Sequence, residues 1–228
     1  MQESLSIERV ISTAPNGANL VIDRSVAEEV FTNLEIDDYK IAVVYGEYLD
    51  PSAARVAWTL MYHGHPNVKI LDIGLSEWEK SGLPVTKQIS TREKQLNKNI
   101  HFRSKINSMI RADANMIKTR QQLQNQSNTV IVDARSPIEH IQAKIPGSIL
   151  ANWEEGLGDN GEMMKSKEEL ERNFMEKQIG KDREIICYCH SGARASHKYL
   201  QFKQAGYNNV KVYDGSIIDW AQRHNPIR

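Results

Sequence analysis

The chain carries one stretch written twice. Asn67 to Val85, NVKILDIGLSEWEKSGLPV, aligns without gaps on Asn209 to Ile227, NVKVYDGSIIDWAQRHNPI. Trp220 stands 142 residues after Trp78, and the same offset joins Pro226 to Pro84, Asp214 to Asp72, Gly206 to Gly64 and Ala195 to Ala53. Such a repeat constrains the fold more than composition does, because both copies must build the same kind of supersecondary unit. With 228 residues there is room for two units of ordinary domain size.

Each copy reads as strand, tight loop, helix, strand. In the second, EIICYC (Glu184 to Cys189) is a short apolar β-type run and HSGAR follows it as a loop. ASHKYLQFKQAG then places Ala195, Tyr199 and Phe202 at helical spacing and stops at Gly206, a natural C-terminal cap. VKVYD is the next strand. Upstream, NTVIVDAR (Asn128 to Arg135) is another β-branched run, and SKEELERNFMEK opens with a helix-capping pattern. Strands alternating with helices predict an α/β fold, each copy a mostly parallel sheet covered by helices on both faces.

Between the copies, residues 87–112 are polar and basic with few apolar anchors and no aromatic stripe, so they read as a solvated linker rather than a nucleic-acid surface. The expected division is therefore 1–86, a linker over 87–112, and 113–228. Twenty-nine basic and twenty-nine acidic residues cancel, so any attraction for an anion must be local. The opening MQESLSIERV lacks the basic and apolar segments of a signal peptide, and no run is long and apolar enough for a bilayer. A cytoplasmic protein without membrane or nucleic-acid partners is the expectation.

Only two cysteines occur, Cys187 and Cys189. A disulfide across one intervening residue would be badly strained. His190 and His197 lie nearby, yet no second Cys or His pair at ligand spacing completes a zinc site, so neither metal nor cofactor is expected. Cys187 falls inside the strand and reads as a structural thiol, whereas Cys189 falls where the strand gives way to the loop. Catalytic sites in open α/β sheets favour that end of the strands. The loop His190, Ser191, Gly192, Ala193, Arg194 can aim successive N–H groups at the Cys189 sulfur, Gly192 permitting the tight turn. The helix N-terminus and Arg194 add positive potential, which together favour the thiolate at neutral pH. His190 is expected to contribute its backbone, His197 to lie on the surface, and Trp78 and Trp220 to anchor cores.

The run from YCHSGARASHKYLQFKQAGYNNVKVYDGS to Trp220 resembles the active-site half of a tandem-domain rhodanese, the thiosulfate and 3-mercaptopyruvate sulfurtransferase family. DARSPIEH (Asp133 to His140) and IPGS (Ile145 to Ser148) resemble that family's Asp-x-Arg strand end and its His-Ile-Pro-Gly-Ala turn. The likeness is strong over Asn128 to Arg228, moderate over Lys40 to Thr86 and weak over residues 1–39. It implies two tandem rhodanese-like domains and a double displacement, in which the Cys189 thiolate takes a sulfur as a persulfide and passes it to cyanide or a thiol. It further implies that the N–H groups from His190 to Arg194 hold the persulfide, that Arg194 steers the anionic donor, and that Asp133 and Arg135 brace the loop.

Thiosulfate is the expected donor and 3-mercaptopyruvate the alternative. Mercaptopyruvate enzymes of this family place an arginine four residues after the Arg of the DAR element, and here that position is Glu139. A phosphatase or arsenate reductase is a second class, but its loop has five residues between Cys and Arg, against four here. A non-catalytic sulfur-carrier or binding module is a third; scaffold-only domains of the family typically lack the cysteine. In the first copy, Cys189 corresponds to Glu47, or to Gly46 with a one-residue shift, and Asp50 stands in place of Gly192. That copy is therefore expected to be catalytically silent, and to lack the first strand because the counterpart of Asp133 would precede Met1.

Overall fold

The computed structural model describes residues 6–86, 101–123 and 128–228. Its C-terminal part is a five-stranded sheet built from β5 (Arg111–Ala112), β6 (Thr129–Asp133), β7 (Ile149–Leu150), β8 (Glu184–Tyr188) and β9 (Val210–Tyr213) in the order β5-β9-β8-β6-β7. Every pairing is parallel. Because successive side chains point to opposite faces, β8 divides its apolar residues between two cores. Ile185, Cys187 and Cys189 face one side with α6 (Lys167–Glu176) and α7 (Ala193–Gln204). Ile186 and Tyr188 face the other with α4 (Ala114–Gln122) and α8 (Ser216–Gln222). The sheet is thus covered by helices on both faces. The capping pattern of SKEE forms as expected, Ser166 accepting from the Glu169 N–H while the Glu169 carboxylate accepts from the Ser166 N–H.

The N-terminal part is smaller. β1 (Ile11–Thr13) and β2 (Asn19–Val21) form an antiparallel pair, α1 (Arg24–Asn33) follows, and β3 (Ala42–Val44) pairs in parallel with β4 (Val68–Ile70) around α2 (Ser52–Tyr62). α3 (Leu75–Lys80) completes the described elements of this half. Among the described residues β3 has one sheet partner, where β8 has two. This half accordingly departs from the expected mostly parallel, doubly covered sheet.

The repeat is visible in the helices: α2 lies 142 residues before α7 to within one residue at its start, and Trp78 and Trp220 each donate their indole N–H to the carbonyl of the matching proline, Pro84 and Pro226, at 3.1 and 2.7 Å. The strands differ by one. Ala42 pairs with Val68, but Ile185 pairs with Val210, so β3 maps onto β8 at an offset of 143. The residue opposite Cys189 in the first copy is therefore Gly46, and neither register supplies a nucleophile there.

Three expectations are corrected. Trp78 is only half-buried, on a short helix that buries none of its residues, while Trp220 is fully enclosed. His197 is not on the surface but completely buried, because α7 lies between the sheet and further layers and every residue from Ala195 to Phe202 is covered. Finally, the described part of the stretch expected to be a solvated linker is exposed at most positions but anchored to the body at several points. Phe102 stacks edge-on against Phe31, the Lys105 and Asn107 amides donate to the His63 and Tyr62 carbonyls, and Arg111 and Ala112 become strand β5. Residues 87–100 lie outside the described residues.

The two parts share a core. Ala54, Ala57, Trp58 and Tyr62 of α2 join Ala195, Tyr199 and Leu200 of α7 and the apolar face of β8 in one cluster. The other side of α2 packs Val56 and Leu60 against Phe31 and Phe102. A helix apolar on all sides belongs inside a protein, and α2 carries its single charge, Arg55, inside with it.

Candidate active site

Cys189 leaves the C-terminal end of the central strand β8 and is 1% exposed. Its own amide donates to the Ser216 hydroxyl at 3.0 Å, and its carbonyl accepts from the Ile217 amide at 3.1 Å, so the start of α8 clamps the backbone on which the sulfur sits. The Ser216 hydroxyl lies 2.9 Å from the Tyr213 carbonyl and 3.9 Å from Sγ of Cys189. Having one proton, it donates to the nearer carbonyl.

Gly192 is the N-cap of α7, with φ at +98°, a conformation that Cβ-bearing residues avoid. No side chain caps this helix. Its N-terminal amides are left for an anion instead, and the Gly192 N–H donates to Sγ of Cys189 at 3.1 Å. In the same loop Ser191, Ala193 and Arg194 are half-buried and His190 is exposed. The arrangement suits a nucleophile that carries negative charge before and after it reacts.

Arg194 does not hang free over the loop. Its guanidinium grips Glu139 with two hydrogen bonds of 2.7 and 2.8 Å, and Arg194 holds the Glu139 carboxyl down at about 2 against the pull of partial burial. Glu139 is itself fixed by the capping box of α5 (Pro137–Gln142), where it accepts from the Ser136 amide. The charge of Arg194 is thus largely compensated.

Asp133 and Arg135 sit under the neighbouring strand end. Arg135 donates to both oxygens of Asp133, which also accept from the Tyr188 hydroxyl at 2.8 Å, with His140 Nδ1 3.0 Å away. Burial alone would raise the Asp133 carboxyl, but these donors, Arg135 first, hold it below the ordinary carboxylate range. Tyr188 immediately precedes Cys189, and the Ala134 amide donates to its carbonyl. Cys187 is fully buried on the α7 side, and burial pushes its thiol far above the ordinary range, away from reactivity. Both cysteines are free. Among the described residues no group of three or more His, Cys, Asp or Glu side chains could hold a metal ion, and no helix is long and apolar enough to cross a membrane.

Sequence reading missed two residues at this site. Ser216, in a left-handed conformation at the head of α8, was hidden in an unremarkable Asp-Gly-Ser turn. Arg55 was hidden in the first copy, although a lone charge inside the apolar run of α2 is a readable signal of a buried ion.

A family model described as a Rhodanese-like domain matches residues 117–223. Among curated proteins, the chain is 29% identical over 209 residues to a putative thiosulfate sulfurtransferase of Mycolicibacterium smegmatis, covering 87% of this chain and 74% of that protein. It is 28% identical to the sulfur carrier protein TtuD of Thermus thermophilus, over 88% and 76% of the respective chains. It is 31% identical to the 3-mercaptopyruvate sulfurtransferase of Mus musculus, over 77% of this chain and 60% of that one. Among solved structures, the anaerobic ergothioneine biosynthesis enzyme of Chlorobium limicola superposes with a TM-score of 0.80 at 20% identity, covering 95% of this chain and 57% of that one. This last likeness concerns the fold.

Proposed function

Because the chain belongs to the rhodanese family, we propose that it transfers a sulfane sulfur from thiosulfate to a thiophilic acceptor through a persulfide on Cys189. The observation that carries this reading is the Cys189 sulfur held at the end of β8 by the Gly192 amide, under a helix N-terminus that no side chain occupies. The Cys189 thiolate attacks the outer sulfur of thiosulfate; the donor's S–S bond breaks and sulfite departs with the electron pair. The persulfide left on Cys189 carries one negative charge, as the thiolate did, and the same N–H groups from His190 to Arg194 would hold its terminal sulfur. Cyanide or a thiolate then attacks that sulfur, the Cys–S–S bond breaks, and the Cys189 thiolate is restored. In this reading residues 113–228 form the catalytic unit, extended by β5 at its edge, and residues 1–86 a silent tandem partner.

Glu139 supports thiosulfate over 3-mercaptopyruvate, since it puts a carboxylate where a cation would have to hold the organic acid, and it occupies the fork of Arg194. The four-residue spacing from Cys189 to Arg194, with Arg194 turned to Glu139, leaves little for the oxygens of a phosphate. Intact-mass measurement after incubation with thiosulfate tests the reading. One added sulfur is expected in the wild type and in Cys187→Ala, and none in Cys189→Ala. Sulfur loading of Cys189→Ala, or phosphate release from a generic phosphatase substrate exceeding sulfur transfer, would overturn it.

A further inference from the structure

Arg55 belongs to the first copy, yet it reaches the loop of the second. Its side chain is fully buried. A Cβ added to Gly192 would lie 2.1 Å from Nη1 of Arg55, so the guanidinium presses against the inner side of the loop that holds the sulfur. Among the described residues, Nε and Nη1 have no hydrogen-bond partner. Nη2 reaches the Asn19 carbonyl at 3.3 Å, and the cation rests on the Trp58 ring at 5.1 Å.

The charges beneath the loop do not balance. Asp214 gives one carboxylate oxygen to Arg111 Nε at 2.9 Å, and the other accepts from the Val21 amide at 2.8 Å. Arg55 lies 3.9 Å from that second oxygen, beyond hydrogen-bonding range. Arg111 is 30% exposed and shares its charge with water, whereas Arg55 is enclosed and meets the Asp214 carboxylate only at a distance, which leaves its positive charge incompletely compensated. Burying an uncompensated cation is costly, so the site is completed only by a further anion. Arg194, the cation of the loop itself, is paired with Glu139.

We propose that Arg55 is a positioning residue of the sulfur-transfer site, its buried guanidinium supplying the charge that stabilises the anionic sulfur of Cys189 through the loop at Gly192. The inference rests on the persulfide reading and deepens it. The silent first half thereby contributes the counter-ion of the active second half. Burial draws the Arg55 guanidinium down from its ordinary value, while the negative charges of Asp214 and then Cys189 oppose that fall. The charged groups that act on the sulfur are Arg55 from α2 and Arg194 from α7, each with its own partners: Asp214 after β9, which also holds Arg111 from β5, and Glu139 from α5.

The test needs no sulfur donor. In a Cys187→Ala background Cys189 is the single thiol, and its alkylation by iodoacetamide is followed against pH in the full chain. Arg55→Met is expected to move the profile to higher pH and slow alkylation at pH 7 about tenfold, which is about 1.4 kcal/mol. Arg55→Lys should recover part of the rate. Asp214→Asn should move the profile the opposite way, because it removes the carboxylate that competes for the cation. Loosened packing would shift Arg55→Met and Asp214→Asn in the same direction, and that result, or unchanged profiles, would overturn the role of Arg55. Thiosulfate loading of the wild type is scored separately, so failure of the sulfurtransferase reading and failure of the Arg55 role remain distinguishable.

Discussion

Gly192→Ala separates two demands that the loop places on one residue. The first is conformational: a φ of +98° costs an L-residue roughly 1–2 kcal/mol. The second is steric. The new Cβ would lie 2.1 Å from Nη1 of Arg55 and 2.7 Å from the Asp214 carbonyl oxygen. Neither can yield easily, because Arg55 is enclosed and the Asp214 carbonyl is backbone just ahead of the Ser216 turn. Overpacking of this kind costs about 1–3 kcal/mol, for a total of about 2–5 kcal/mol. Relief would come from moving the loop outward, which withdraws the Gly192 N–H from Sγ. Removing one such donor typically costs about 10²–10³-fold in rate.

Gly206, at the other end of α7, is the matched control. Its φ is +85°, but an added Cβ would meet only Lys181 Nζ at 3.7 Å and Lys167 Cε at 3.9 Å, ordinary contacts. Gly206→Ala should therefore pay only the conformational cost of about 1–2 kcal/mol and keep its activity. Thermal melts and the thiosulfate–cyanide assay are run on both variants. At about 2–4 °C per kcal/mol, Gly192→Ala should melt clearly lower than Gly206→Ala and lose at least two orders of magnitude in turnover. Activity of Gly192→Ala within a few-fold of wild type would refute the claim that this backbone position holds the sulfur.

Glu139→Gln keeps the capping acceptor of α5 but releases Arg194, so the thiosulfate KM should fall several-fold at low salt and the gain should fade as salt is raised; a KM that stays constant or rises would contradict the compensation of Arg194 by Glu139. Stability should fall as pH drops below about 6.5, because burial lowers His63 to about 4 and His197 to about 3. Both rings remain neutral in the folded chain while they take up protons in the unfolded one. The stabilising difference is fully present above the unfolded value near 6.5 and is lost as pH falls through the folded values, at up to about 1.4 kcal/mol per pH unit for each histidine. Urea midpoints measured from pH 7.5 to 4.5 check this, and a flat profile would show that neither ring is held neutral.

The C-terminal fold and the loop after Cys189 were legible in the sequence because their instructions are local. The apolar run ending at Cys189, the glycine that turns the chain, the helical spacing to Gly206 and the Ser166 capping box each involve residues within a few positions of one another. Such signals act whatever the remainder of the chain does. The internal repeat was equally open to inspection, and it set α2 beside α7 and Trp78 beside Trp220.

What required the tertiary structure was every property that depends on residues far apart. The repeat at 142 could not reveal that β3 and β8 are related at 143, since register is set by pairing with a neighbouring strand and not by the strand's own residues. Equivalent tryptophans took unequal burial because α8 lies against a five-stranded sheet and α3 does not. His197 looked like a polar residue near the start of a helix, and only the layers packed around α7 made it a core residue. The same reason hid the charges at the site. A sequence states that Arg55, Arg194, Glu139 and Asp214 exist, but Coulomb energy depends on distance and burial, and it was the packing of α2 against α7 that brought Arg55 beneath Gly192 while α5 turned Glu139 toward Arg194.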